Sequence, residues 1–255
     1  MCTVVILRRP DHPWPILLGA NRDEMRDRPW KPPARHWPER HDVVAGLDEL
    51  AGGTWMGLND TGVVACILNR HGSLGPAPNK RSRGELVLDA LDHADAVDAA
   101  KALSGIDPTA YRPFNLVIAD NRDAWWLTLT AVGQETGAGV RVERIPPGFS
   151  MFTAGNRNDP NDERIAAYLP AFEGADIPDP DGDHWQAWES LLGSTGGGRP
   201  GSAMSFQMDT GFGTSSSSLL ALPSVAAAHA KAPKRPIWRF AAGPPDTTAF
   251  RPVAL

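Results

Sequence analysis

Cys2 follows Met1 and opens a β-branched run at residues 3–7. Methionine aminopeptidases generally remove Met before a small residue, and Cys2 would then carry both a thiol and a free α-amino group. That amine has a reference pKa of about 7.7–8.0, so near neutral pH it can take the thiol's proton. Nucleophile and general base would belong to one residue. A second apolar run, residues 16–20, leads into Asn21-Arg22-Asp23-Glu24. Strand alternation puts Asn21 and Asp23 on one face and Arg22 and Glu24 on the other. Hairpin pairing would bring this end to Cys2, where Asp23 could hold the amine and Asn21 could orient the nucleophile. Arg22 and Glu24 read equally as a structural ion pair or as part of the site. Asn69 ends the run 63–68, and Asn156 follows the run 150–154. Amides at strand ends can donate to a developing oxyanion, although turn capping is their ordinary work.

Other chemistry-bearing residues have plainer readings. Cys66 sits in an apolar run and reads as buried core. Lys80, Arg81 and Arg83 precede a helix start, where free amides and the dipole could hold a phosphate. A solvated basic turn is the plainer reading of them and is preferred. His36 and His41 match no zinc spacing, so no metal is expected. His12, His71, His93 and His184 are isolated and read as surface.

The bulk composition sets the frame. The 255 residues are 42 % hydrophobic and 22 % charged, with a net charge of −5. These are globular proportions without the basic footprint that nucleic acid or an anionic membrane demands. No apolar run is long enough to span a bilayer. Two cysteines do not make a disulfide framework, and no charged n-region followed by an apolar h-region opens the chain. A cytoplasmic protein is expected. Trp outnumbers Tyr nine to two. Trp30, Trp37, Trp55, Trp125, Trp126, Trp185 and Trp188 lie in or beside apolar stretches and read as core.

Strands are expected at 43–47, 54–59, 63–68, 115–119, 125–130, 140–145, 150–154, 217–222 and 236–240. The Pro-rich residues 29–41 read as loop. Ser82 and Glu85 form a capping-box pattern opening one helix to about Leu103. Asp159-Pro160 can start a helix to about Phe172, and Asp183 can cap a short one bearing Trp185, Trp188, Leu191 and Leu192. Residues 193–202 read as a flexible loop. Strands and helices do not alternate regularly, so antiparallel sheets with segregated helices are expected, an α+β class.

Five segments in order carry a resemblance. They are Met1-Cys2-Thr3-Val4-Val5, Ala20-Asn21-Arg22-Asp23-Glu24, Ala51-Gly52-Gly53-Thr54-Trp55, Leu68-Asn69-Arg70 and Lys80-Arg81-Ser82-Arg83-Gly84-Glu85. Together they resemble the NRDE family, also called the transport and Golgi organization protein two family. That family in turn resembles N-terminal-nucleophile hydrolases of the choloylglycine hydrolase and penicillin acylase branch. The resemblance implies a four-layer αββα sandwich spanning residues 1–255 as one domain. It implies Cys2 as nucleophile, Asp23 as the amine-holding carboxylate, and Asn69 and Asn156 as oxyanion or substrate amides. The late active-site arginine of those enzymes has no counterpart after Gly213-Thr214, where the chain continues as Ser215-Ser216-Ser217-Ser218. A cysteine amidohydrolase or acyltransferase that needs no cofactor is the first functional expectation. The second, also implied by the resemblance, is a haem-trafficking or acyl-CoA/lipid-binding protein on the same scaffold. Either way the partner is a small acyl, lipid or haem ligand.

Overall fold

The computed structural model describes residues 2–130, 139–197 and 201–255. It divides into two compact units, Met1–Arg28 with Pro147–Ala254, and Pro29–Pro146 with Leu255.

The first unit opens with β1 (Thr3–Arg8) and β2 (Ile16–Met25). The chain then builds the whole second unit. Its strands are β3 (Trp30–Ala34), β4 (Val43–Asp48), β5 (Met56–Asn59), β6 (Val64–Asn69), β7 (Phe114–Ala119), β8 (Ala124–Leu129) and β9 (Arg141–Arg144). Between β6 and β7 lie helices α1 (Gly84–Leu91) and α2 (Ala96–Ser104). The chain returns to the first unit with β10 (Gly148–Phe152), α3 (Glu163–Gly174), α4 (Gln186–Leu192), β11 (Phe212–Leu222), β12 (Ile237–Ala241) and β13 (Arg251–Pro252).

Each unit has one antiparallel sheet. The second is a seven-stranded meander in chain order, β3 to β9. The first is six-stranded in the order β10-β1-β2-β11-β12-β13, so β1 and β2 lie inside it. All six residues of β1 are buried, and the usual apolar–polar alternation is lost because both strand faces are covered. In the first unit Val5, Leu7, Leu17 and Leu219 pack with Ile165 and Phe172 of α3 and Trp188 of α4. In the second, α1 and α2 pack Leu86, Leu91 and Leu103 against Ala65, Leu116, Ile118 and Leu127. The fold is thus α+β, with antiparallel sheets and few helices, as expected.

Several local expectations need correction. Residues 29–41 are not all loop, because β3 forms at the sheet edge. Pro32 and Pro33 are tolerated there because an edge strand need not donate on both sides, and the pairing slips between Lys31 and Ala34. The single helix to Leu103 is two. Asp95 caps the second by accepting from Asp98 N at 3.1 Å, and the first ends at Leu91. The capping box does not form. Glu85 instead accepts from the Tyr111 hydroxyl at 2.6 Å and pairs with Arg81 Nε at 2.6 Å. Helix α3 starts at Asp162, not Asp159, since the Asp162 carboxylate accepts from Arg164 N and Ile165 N at 2.9 and 3.1 Å. Asp183 does not cap α4; its carboxylate pairs with Arg239. Trp30, Trp37, Trp55 and Trp125 are only partly buried, whereas Trp14 and Trp238 are core. The expected loop 193–202 lies partly outside the described residues.

Two of the resemblance-bearing segments have a structural explanation. Gly53 and Gly84 cross backbone to backbone, and Thr54 N donates to Gly84 O at 3.1 Å. A Cβ on Gly53 would lie 2.6 Å from the Gly84 carbonyl carbon, and one on Gly84 would lie 2.9 Å from Thr54 O. Main chain cannot swing aside as a side chain can. Gly53→Ala or Gly84→Ala is expected to lower stability by ~1–3 kcal/mol or more, read as a lower urea midpoint. An unchanged midpoint would show that the crossing has room.

Candidate functional site

The site is built at the open end of the β1–β2 ribbon in the first unit. Thr3 pairs with Asn21, so Cys2 stands beside Arg22 and Asp23. The Cys2 thiol is half-buried and lies along the Asp23 main chain. Asp23 N donates to Sγ at 3.4 Å, and Sγ faces Asp23 O at 3.6 Å. Burial pushes the thiol above its ordinary value, and the Asp23 carboxylate pushes the same way. The Asp23 N–H and Arg22 oppose this shift without cancelling it. In the chain with Met1 in place, alkylation of Cys2 by iodoacetamide is therefore expected to keep accelerating above the pH at which an ordinary thiol levels off. A plateau below that pH would contradict the buried setting.

The side chains divide between the two faces as alternation requires. Asp23 is completely buried. Its Oδ2 pairs with Arg164 Nη1 at 3.0 Å, and its Oδ1 accepts from Thr214 Oγ1 at 2.8 Å. Arg164 also donates to Thr3 Oγ1 at 2.7 Å and Gly201 O at 2.6 Å. One guanidinium thus ties the carboxylate to the first residue of β1. Asn21 shares this face and is fully engaged. It donates to Leu192 O at 2.9 Å and Met204 O at 2.8 Å, and accepts from Ser217 Oγ at 2.6 Å. Its amide holds the loop beyond α4 to the sheet. On the opposite face Arg22 reaches Ser215 Oγ at 3.2 Å and Glu24 at 3.7 Å, while Arg28 meets Glu24 at 3.6 Å. Both readings of Arg22 survive, since the ion pair forms beside the thiol.

Asn156 is exposed in the turn after β10, the other neighbour of β1. Asn69 ends β6 in the second unit and pairs with Phe114. Cys66 is buried core, and burial raises its thiol far above the usual range. The three candidate phosphate cations turn to internal partners. Lys80 Nζ donates to Thr109 O, Arg81 pairs with Glu85, and Arg83 donates to Ser73 O and Pro113 O at 2.8 and 3.0 Å. Among the described residues no group of three His, Cys, Asp or Glu could hold a metal, and no helix is long and apolar enough to cross a membrane.

Arg164 escaped the sequence reading. Its one signal is a charge on the apolar stripe of α3, beside Ile165 and in line with Tyr168 and Phe172, all four buried. A buried cation on such a stripe requires a buried anion.

The profile described as Transport and Golgi organisation 2 matches residues 1–160, which hold every candidate above up to Asn156. The chain belongs to this family. The homologous protein 2 of Bos taurus is 37 % identical over 111 residues, 41 % of this chain and 38 % of its own length. The Mus musculus homologue is 36 % identical over the same shares. The matched region thus spans well under half the length of these curated family members. Solved structures share the fold at low identity. A Caenorhabditis elegans orthologue of N-acylethanolamine-hydrolyzing acid amidase superposes with a TM-score of 0.55 at 14 % identity, covering 86 % of this chain and 92 % of that one. Penicillin V acylase of Agrobacterium tumefaciens gives 0.53 at 12 %, covering 95 % and 83 %. The R18L variant of conjugated bile acid hydrolase from Clostridium perfringens gives 0.51 at 11 %, covering 100 % and 97 %. This member of the family therefore shares the fold of these three proteins.

Proposed function

We propose that the protein is an N-terminal cysteine hydrolase of a small linear amide, with acyl transfer as the same chemistry ending on another acceptor. One observation carries this reading: the Cys2 thiol lies against Asp23 at the mouth of an interior strand, and the Asp23 carboxylate is held rigid by buried Arg164 and Thr214.

Removal of Met1 would place the free amine on Cys2 itself. The neutral amine takes the Cys2 proton, and the thiolate attacks the amide carbon. The tetrahedral oxyanion accepts hydrogen bonds, a role that the first unit offers to Asn156 by resemblance. Its collapse breaks the C–N bond as the ammonium returns the proton to the leaving nitrogen, leaving an amine product and a Cys2 thioester. Water, deprotonated by the same amine, then hydrolyses the thioester and restores the thiol. Asp23 holds the ammonium form, and Arg164 keeps that carboxylate in place. Burial suits the cycle, because the thiol stays protonated until a base receives its proton.

The test is N-terminal sequencing and intact mass of the natively expressed protein, before and after exposure to p-nitrophenyl butyrate. A Cys2 start and a single butyryl group on Cys2 are expected. A retained Met1, or a Cys2 start that never acylates, would sink the hydrolase and turn the search to haem and acyl-CoA binding on this scaffold.

A further inference from the structure

Arg164 meets two residues near the start of the chain with one nitrogen. Its Nη1 donates to Thr3 Oγ1 at 2.7 Å and pairs with Asp23 Oδ2 at 3.0 Å, while Nη2 donates to Gly201 O at 2.6 Å. Thr3 follows Cys2, so the guanidinium is bonded to the neighbour of the proposed nucleophile. The pair with Asp23 is sealed from water on both sides, at 4 % and 0 % exposure. A sealed charge pair adds little stability over an apolar filling of the same volume, so its presence calls for another explanation.

The charge of Asp23 is felt at Cys2, where it pushes the thiol upward. It acts on an amine of the same residue in the same sense, stabilising the ammonium form. A carboxylate without a counter-charge in so dry a place would keep that amine protonated at neutral pH, and an ammonium takes no proton from a thiol. Arg164 opposes this twice. It neutralises the carboxylate directly, and its own charge disfavours a second cation close by. Charges on the neighbouring elements are engaged elsewhere. On β2, Arg22 meets Glu24 at 3.7 Å on the opposite face, and Glu24 also meets Arg28 at 3.6 Å. In the turn after β10, Arg157 donates to Ser150 Oγ at 3.4 Å. At the head of α3, Asp162 accepts from Thr153 Oγ1 at 2.6 Å and from two amides of the helix, and Glu163 is exposed. From β11, Asp23 receives the neutral hydroxyl of Thr214.

We propose that Arg164 is a positioning residue that sets the protonation of the Cys2 amine: by answering the Asp23 charge, it lets the amine serve as a base near neutral pH. This rests on the reading of Cys2 as the nucleophile of a hydrolase. Asp23 and Arg164 are then opposed controls on one proton. Asp23 holds it on the amine after the thiol gives it up, and Arg164 eases it off toward the leaving nitrogen.

The amine can be read without catalysis in Cys2→Ala, whose small second residue also favours loss of Met1. Its rate of carbamylation by cyanate, followed against pH by the mass of the N-terminal peptide, gives the midpoint at which the amine becomes neutral. Adding Arg164→Gln is expected to raise that midpoint by about one pH unit or more, and adding Asp23→Asn to lower it. Arg164→Lys, which keeps the charge, should stay close to the parent. Opposite shifts from the two halves of one pair are not what mere loss of structure produces. With Cys2 in place, Arg164→Gln should move the acid limb of p-nitrophenyl butyrate hydrolysis to higher pH, with the rate recovering there. Equal midpoints in Arg164→Gln and its parent, or a rate that falls at every pH with the limb unmoved, would overturn the assignment. Where Arg164→Gln does not fold, an Asp23→Asn midpoint that fails to drop overturns it. Shifted midpoints in a protein whose Cys2 never acylates would remove the hydrolase and keep the charge control.

Discussion

Cys2→Ala is expected to lower the release of p-nitrophenolate from p-nitrophenyl butyrate by ~10³-fold or more while leaving the melting temperature nearly unchanged. The two effects separate because the thiol makes so little of the fold. Among the described residues its polar contacts are with the Asp23 main chain, at 3.4 and 3.6 Å, and β1 pairing begins at Thr3. Removing sulfur costs two weak contacts, but removes the atom proposed to attack. Cys2→Ser should be almost as poor, since a hydroxyl gives up its proton far less readily than a thiol to the same amine. Steady-state rates and thermal melts on the same preparations decide it. A Cys2→Ala variant that hydrolyses at the wild-type rate would mean that the probe reacts elsewhere.

The largest stability effect is expected at Arg164. Arg164→Leu leaves the Asp23 carboxylate buried without its ion pair. The side chains of the pair are 4 % and 0 % exposed, so water cannot replace the missing guanidinium. Breaking a buried pair in this way costs about 3–5 kcal/mol. Adding Asp23→Asn to Arg164→Leu should recover part of that loss, because the stranded charge disappears. Activity should not return with the stability, since the carboxylate assigned to the amine is gone. Urea titration of the two single variants and the double gives the coupling directly. A cost for Arg164→Leu below ~1 kcal/mol, or no coupling in the cycle, would mean that the pair does not organise the end of β1.

The placement of Cys2 beside Asp23 was legible because it follows from short-range rules. A cysteine immediately before a β-branched run sits at a strand mouth, and alternation fixes which side Asn21 and Asp23 take. What Asn21 does was not legible. Its amide is consumed by Leu192 O and Met204 O, carbonyls more than 170 positions away that no local pattern reveals. Arg164 was missed for the same reason, since its meaning depends on a partner 141 positions back. The helix errors share one cause. Ser82, Asp159 and Asp183 are plausible caps by type, but α1 and α4 start without a side-chain cap, while Asp95 and Asp162 reach the free N–H groups of α2 and α3. Strand edges drifted because β3 is held by a neighbour's hydrogen bonds and not by its own composition. The slip in the β11–β2 pairing between Thr214 and Ser216, which decides the face that each later serine takes, is invisible in a run of four identical residues.

The order of strands in the six-stranded sheet also bears on how this chain reaches its folded state. The β1–β2 ribbon is complete by Met25, yet its two outer neighbours are β10 and β11, synthesised only after the entire seven-stranded unit. At about 5–20 residues per second, a ribosome takes on the order of ten seconds or more between finishing β2 and releasing β11. For that interval both flanks of an apolar ribbon present unpaired N–H and C=O groups, the template on which strands from other chains add. Refolding from denaturant meets the same obstacle, because the closing contacts join residues far apart in sequence. The yield of refolded protein should therefore fall with rising protein concentration, and a chaperone that masks the ribbon should restore it.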